Sequence, residues 1–281
     1  MQFKGLTVSE CSFDLGDREV CSSNDMIEAM DRFLSDIKKE VKSKDPETII
    51  TTMKKVTKCD TEACIYTASP FVTYIGPTTA VKHMEEVFKP VGPKTTDDLL
   101  SNYNIDGVLA QFARKYPGFL HIPFQMRDFQ DLAKANPKDK NNLANVDFAD
   151  EYRKGMKTFG CVLNTDWSTG GGYHWYCIFG DFTTDNPTIE YYNTSGNVAL
   201  KETREWLTNT CISLSKALGK HVSKVQVLNK AIQDNDVDCG VYCLHYIWSR
   251  LEGYPYQQFS DPATAPNDSL MTKARLHLFR E

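Results

Sequence analysis

The sequence predicts an α+β protein: a mixed strand-and-helix core preceded by a small helical domain. Three observations predict this. Amphipathic helical periods occupy the first ninety residues and stop at Pro90, Gly92 and Pro93. Compact strand runs then follow one another from 159 to 193, with a further run after a long helical period. Finally, a polar, turn-prone loop, QDNDVD, ends at Cys239, where a new apolar period begins. A length of 281 residues accommodates one large domain plus an appendage, and the boundary is placed at residues 1–90 and 91–281.

Residues 1–22 show no clear period. From 24 to 43, Met26, Ile27, Met30, Phe33, Leu34, Ile37 and Val41 form one stripe, with Ser23 or Asn24 as cap. Pro46 at a first-turn position opens a second helix to about Lys55. A third runs from about Thr78 to Phe88. Beyond the boundary, a helix is expected from Ile105 to Tyr116, stopped by Pro117-Gly118. Residues 131–158 are polar with little period and are expected to form a long surface loop. Strands are expected at 159–164, 174–179 and 188–193, the first two separated by a turn containing Gly170, Gly171 and Gly172. A helix over 200–218, a strand over 222–228, a helix from Cys239 stopped at Gly253, and a short last helix over 268–279 complete the chain.

Composition narrows the function. Charged residues at 25% and hydrophobic ones at 41% are ordinary for a globular protein. A net charge of −5 does not suggest a nucleic-acid partner. No apolar run reaches the ~18 residues of a membrane span, and the N-terminal stretch lacks a signal-peptide core, so an intracellular protein is expected. The nine cysteines are scattered, with no CxxC pair, and reduced thiols are expected. Cys59 and Cys64 lack the two further ligands that a metal site would need.

The chemistry concentrates around Cys239. At a helix mouth, free N–H groups and the positive dipole end favour the thiolate, the reactive form of cysteine. Gln233, six residues upstream, carries an amide that can aim a donor at an oxyanion. The competing reading is a turn before a buried helix whose cysteine only packs. His245 is a poor base for Cys239: six residues along one helix turn it roughly 120° away. His174 is the better candidate, because it follows three glycines that let an extended backbone approach closely. Trp175 beside it supplies an apolar wall. Asn193, ending the next strand, can orient the imidazole, with Glu190 and Asp185 as rival orienters. Adjacent strands would bring His174 and Asn193 side by side.

The order His174, Asn193, Gln233, Cys239, with HW at 174–175 and Q-x5-CG at 233–240, resembles the ubiquitin-like-protein protease (adenain-like) clan. That clan includes SUMO-deconjugating and adenovirus-type proteases. The resemblance is closer still to the African swine fever virus branch of polyprotein proteases. It is carried by TFGCVLNTDWSTGGGYHWYCIFGD (158–181), IEYYNTSGN (189–197), LSNYNID (100–106), CDTEAC (59–64), HLFR (277–280), and Pro123, Phe124, Met126, Asp128 and Phe129.

The resemblance implies His174 as base, Asn193 as orienter, Cys239 as nucleophile and Gln233 as oxyanion donor. Asn at 193 departs from the Asp of SUMO-type enzymes and fits the viral branch. Trp175, Gly171 and Gly172 would bind substrate. The implied activity is a cysteine endopeptidase that cuts viral structural polyproteins after Gly-Gly during particle maturation, at host cytoplasmic assembly sites and in the virion. It calls for no metal, cofactor or nucleic acid. The alternative within the clan is removal of ubiquitin-like modifiers. Residues 1–90 would form an arm domain that docks substrate or regulates the cleft.

Overall fold

The computed structural model describes residues 9–16, 18–261 and 263–280; residues 1–8 of the irregular N-terminal segment lie outside them. Two compact units emerge. One holds the chain from Gly92 to Arg275. The other holds the described residues before Gly92 together with those from Leu276 onward.

The helical unit contains α1 (Asn24–Asp36), α2 (Pro46–Thr57), α3 (Glu62–Ile65), α4 (Ser69–Ile75) and α5 (Pro77–Val87). Ser23 caps α1, which buries Ile27, Met30, Phe33 and Leu34. This helix stops seven residues short of the expected 43, because Lys38 turns left-handed at φ 57° and the following Lys-rich stretch has little apolar surface to bury. Pro46 starts α2 as the sequence predicts, and Asp45 caps it.

The four cysteines of this unit form two disulfides, Cys11–Cys21 and Cys59–Cys64, against the expectation of reduced thiols. Both are local links, with sequence separations of 10 and 5. Glu62 is buried and accepts hydrogen bonds from the backbone N–H groups of Cys21 and Ser22, tying the N-terminal segment to α3. The end of the chain also belongs here. Arg280 donates from its backbone N–H to Pro90 O (3.1 Å) and from Nε to Lys89 O (2.9 Å), and His277 packs on Phe13 with ring centroids 5.5 Å apart. Residues 276–280 thus leave the core that the sequence reading extended to 281.

The core unit opens with α6 (Asn102–Lys115) and β1 (Phe119–His121). Ser101 and Asn104 close a reciprocal capping box at the start of α6. The stretch expected as a long loop carries α7 (Phe129–Ala135), a 3₁₀ turn (Leu143–Asn145) and α8 (Phe148–Arg153). Their apolar residues, Phe129, Leu143 and Phe148, are sparse in sequence but all buried, which is why no period announces them. Then follow β2 (Thr158–Asn164), β3 (Trp175–Asp181), β4 (Thr188–Tyr192), α9 (Lys201–Leu218), β5 (Ser223–Gln226), α10 (Cys239–Leu251), α11 (Gln257–Ser260) and α12 (Asp268–Leu278).

The strands form one sheet in the order β1-β2-β3-β4-β5, antiparallel at β2–β3 and β3–β4 and parallel at both edges. Both faces are covered, so β2 to β4 are apolar runs rather than alternating ones. On one face Phe159, Cys161, Tyr176, Ile178, Ile189 and Tyr191 pack with Trp206, Leu207 and Leu214 of α9. On the other lies α10, buried from Cys239 to Ser249. Tyr192 stacks on Tyr246 at 4.2 Å. Gly160 leaves room for Ile247, 3.3 Å from where a Cβ would stand. Glu190, fully buried, is gripped by Arg250 through Nε (2.8 Å) and Nη2 (2.9 Å) and receives the Tyr246 hydroxyl (2.6 Å). This is a paired charge with its hydrogen bonds satisfied, the form in which a carboxylate survives burial.

Candidate active site

The antiparallel register brings the end of β4 beside the start of β3. There His174 Nε2 lies 2.8 Å from Asn193 Oδ1. Asn193 is buried, and its amide is fixed on every side. The backbone N–H of Ser195 (3.1 Å) and its hydroxyl (2.9 Å) donate to Oδ1, while Nδ2 donates to the Tyr191 hydroxyl (2.8 Å). A backbone N–H can only donate, so the atom facing it is the amide oxygen. The ring nitrogen sharing that oxygen therefore carries a hydrogen. His174 is held as the Nε2–H tautomer, and in the neutral ring Nδ1 keeps its lone pair for another partner.

Cys239 occupies the first position of α10 and is 2% exposed. Burial pushes its thiol up to about 11; the backbone N–H groups of Trp175, Gly240 and Cys239 pull it down, and the Cys243 thiol raises it. The helix-mouth N–H groups act in the expected direction, but burial outweighs them. Burial therefore favours the thiol, against the thiolate that the helix start alone favours. The backbone N–H of Trp175, next in the chain to His174, faces the sulfur.

Gln233 accepts from Thr194 Oγ1 (2.6 Å), next in the chain to Asn193, and its Nε2 donates to Asn235 O (2.6 Å). The backbone N–H of Ile232 also donates to Thr194 O (3.0 Å). This approach depends on Gly196, at φ 71°, where a Cβ would stand 2.3 Å from the Lys230 carbonyl carbon. The four residues 174, 193, 233 and 239 are thus linked through β4, the 230–238 loop and the mouth of α10.

A cleft of about 470 Å³, lined by Leu99, Leu100, Phe124, Met126, Tyr173, Trp175 and glycines 170–172, takes in the residues on either side of His174 but none of the four themselves. Trp175 anchors its indole N–H on Leu100 O at 3.1 Å and meets Phe124 edge-on. The glycine turn is pinned from below: Asn164 Oδ1 accepts from Tyr173 N (2.9 Å), and Asp166 accepts from Gly172 N (3.0 Å). Gly172 needs its residue type, because φ is 88° and a Cβ would stand 3.2 Å from the Asn164 amide. A larger groove, about 750 Å³, lies at the opposite strand ends by Asp181, Thr188 and Ser223, and its lining includes no neighbour of His174.

The rival orienters fall away on geometry. Glu190 is spent on Arg250, and Asp185 is an exposed partner of Lys220. His245 is buried against Trp248 and Phe259, and burial holds the Cys243 thiol well above its ordinary range.

Known proteins share this arrangement of chain. A cysteine protease of African swine fever virus (Tick/Malawi isolate) is 34% identical over 283 residues, covering 97% of this chain and 95% of the relative. The chain belongs to the African swine fever virus cysteine protease family. A second relative, from the Pig/Kenya isolate and named a SUMO-1 cysteine protease, is 33% identical over 280 residues, covering 97% of this chain and 95% of its own. The crystal structure of the African swine fever virus protease superposes with a TM-score of 0.79 at 30% identity, covering 98% of this chain and 96% of that one. No family model matches. The protease is therefore an α+β cysteine protease acting on protein substrates. No helix among the described residues is long and apolar enough to cross a membrane.

Sequence reasoning missed the supports of this protease's candidate site. Tyr191 and Ser195, which lock Asn193, lie within two residues of it, and N-T-S-G is a turn signal from which the Ser195 bond is readable. Asn235 accepts from the N–H groups of Val237 and Asp238, an Asx-type turn visible in DNDVD. Asp268 and Arg275, which also bond to this loop, carry no local signal.

Proposed function

We propose that this protease cleaves viral structural polyproteins after Gly-Gly during virion maturation, with Cys239 as nucleophile and His174 as base. As the substrate carbonyl arrives, the Cys239 thiol passes its proton to His174 Nδ1 and sulfur bonds to the carbonyl carbon. The oxyanion is met by the Cys239 backbone N–H and by the Gln233 side-chain amide, which turns a hydrogen from its weak 3.5 Å contact with Asn235 Oδ1. Collapse expels the amine, protonated by His174, and water then hydrolyses the thioester with His174 as base. Asn193 holds the ring throughout. The observation that carries this reading is the His174–Asn193 contact at 2.8 Å, inside a network that fixes the base's tautomer. Gly171, Gly172 and Trp175 line a cleft whose floor has no side chain at the glycines, which supports a substrate strand without side chains of its own.

The test is cleavage of peptides spanning Gly-Gly-Xaa by the wild type, Cys239→Ala and His174→Ala, with folding checked by circular dichroism. Loss of cleavage in both variants is expected; persistence in Cys239→Ala refutes the assignment. The name of the second relative favours one other reading, deconjugation of ubiquitin-like modifiers. Modifier conjugates in the same panel discriminate, and polyprotein peptides are expected to be cut faster. The reading places the enzyme at cytoplasmic assembly sites and in the particle, where immunoblots of purified virions should find it. It assigns residues 1–90 to an arm domain that docks substrate, and labelled substrate should crosslink there.

A further inference from the structure

We propose that Asp268 and Arg275, both on α12, are positioning residues for the nucleophile; the inference rests on the reading of Cys239 above. The segment 234–238 has no regular structure, yet it sets where Cys239 begins its helix. Asp238, immediately before Cys239, gives α10 no side-chain cap. Its carboxylate is buried instead and accepts from Arg275 Nη2 (2.7 Å) and Asn235 Nδ2 (2.9 Å). Arg275, itself 4% exposed, also donates through Nη1 to Asp98 O (2.8 Å) and through Nη2 to Val237 O (3.4 Å).

One α-helical span earlier on α12, Asp268 holds the other end of the loop. Its Oδ2 accepts from the backbone N–H groups of Asp234 (3.2 Å) and Asn235 (3.0 Å), and its Oδ1 accepts from the hydroxyl of Tyr242 (2.7 Å), three residues past Cys239 on α10. Asn235 is in turn the acceptor for Gln233 Nε2. Two side chains of one helix therefore grip the loop at 234–235 and at 237–238, with the oxyanion-donor candidate hanging from the first grip and the nucleophile candidate following the second. Displacements of about 1 Å in reacting groups cost about a hundredfold in rate, so these grips act on chemistry and not only on stability.

The test measures kcat and KM on a Gly-Gly-Xaa peptide, with active sites counted by covalent labelling with a Gly-Gly peptide vinyl sulfone. Asp268→Ala and Arg275→Met are expected to lower kcat per labelled site about 10- to 100-fold, with KM within about twofold. Arg275→Lys keeps a charge for Asp238 but not the fork that reaches three acceptors, and falls between. Because Arg275→Met leaves Asp238 buried and unpaired, Arg275→Met/Asp238→Asn provides a second variant if the first does not fold. A structural role alone would lower the number of labelled sites or the melting midpoint and leave kcat per site at the wild-type value; that result in Asp268→Ala and in the double variant overturns the inference. Cys239→Ala runs alongside. If it neither labels nor cleaves while the α12 variants keep full kcat, only this inference fails; if it still cleaves, the underlying assignment fails and this one with it.

Discussion

The most direct physical consequence concerns the protonation of Cys239. Its thiol is pushed from an ordinary value of 9.0 up to about 11, chiefly by burial. Two units at about 1.4 kcal/mol each make the charged form about 3 kcal/mol harder to reach in the folded chain. The perturbation is pH, and the first assay is alkylation of Cys239 by iodoacetamide, followed by mass spectrometry of its peptide. The rate should climb about tenfold per pH unit toward 11, with no plateau between pH 6 and 8. The second assay is linkage. A group whose folded pKa is raised gives stability that is fully present below the unfolded value and lost as pH rises through the folded one. The stability difference between wild type and Cys239→Ala should therefore shrink by about 2 kcal/mol between pH 8 and pH 11, read from urea midpoints. Subtracting the variant removes the contributions of the other buried thiols. A rate plateau near pH 6–7 would refute the reasoning, because it would mean a thiolate already paired with imidazolium in the resting enzyme.

Other outcomes follow from single sites. Asn193→Ala removes the acceptor that fixes the His174 tautomer, and kcat should fall about a hundredfold or more, whereas Tyr191→Phe, which removes only a support of Asn193, should cost far less; steady-state kinetics on both variants checks the ranking. Gly172→Ala forces a Cβ onto a φ of 88° and to within 3.2 Å of the Asn164 amide. It should cost about 1–3 kcal/mol and raise KM, measured by thermal melts and peptide kinetics. Arg250→Met strands the fully buried Glu190 and should cost about 3–5 kcal/mol in chemical denaturation, with Arg250→Met/Glu190→Gln recovering part of the loss.

Several features were legible because they depend on neighbours in sequence. The cap Ser23, the helix start at Pro46, the strands at 159–164 and 188–193, and the helix mouth at Cys239 all follow from local pattern. The juxtaposition of His174 and Asn193 was legible because adjacent antiparallel strands impose it. What stayed hidden depends on distant partners. Phe129, Leu143 and Phe148 turn a polar stretch into helices only because a sheet waits for them. The rise in the Cys239 pKa comes from the depth of α10, while the sequence displays only the helix start. The tie from Glu62 to Cys21 and Ser22 spans some forty residues and has no local signal either.

The helical unit is discontinuous in the chain. Phe13 and Lys89 meet His277 and Arg280 there, and the Arg280–Lys89 bond spans 191 positions. On a ribosome adding about 5–20 residues per second, domains generally fold as they emerge. This unit must wait, since its last pieces are made after everything from Gly92 to Arg275. For tens of seconds a nascent chain would hold α1 to α5 without their final partners, while α12, with Asp268 and Arg275, is also still to come. The loop that presents Cys239 would then lack its clasp. On the positioning roles proposed for Asp268 and Arg275, cutting is expected only once α12 has been made.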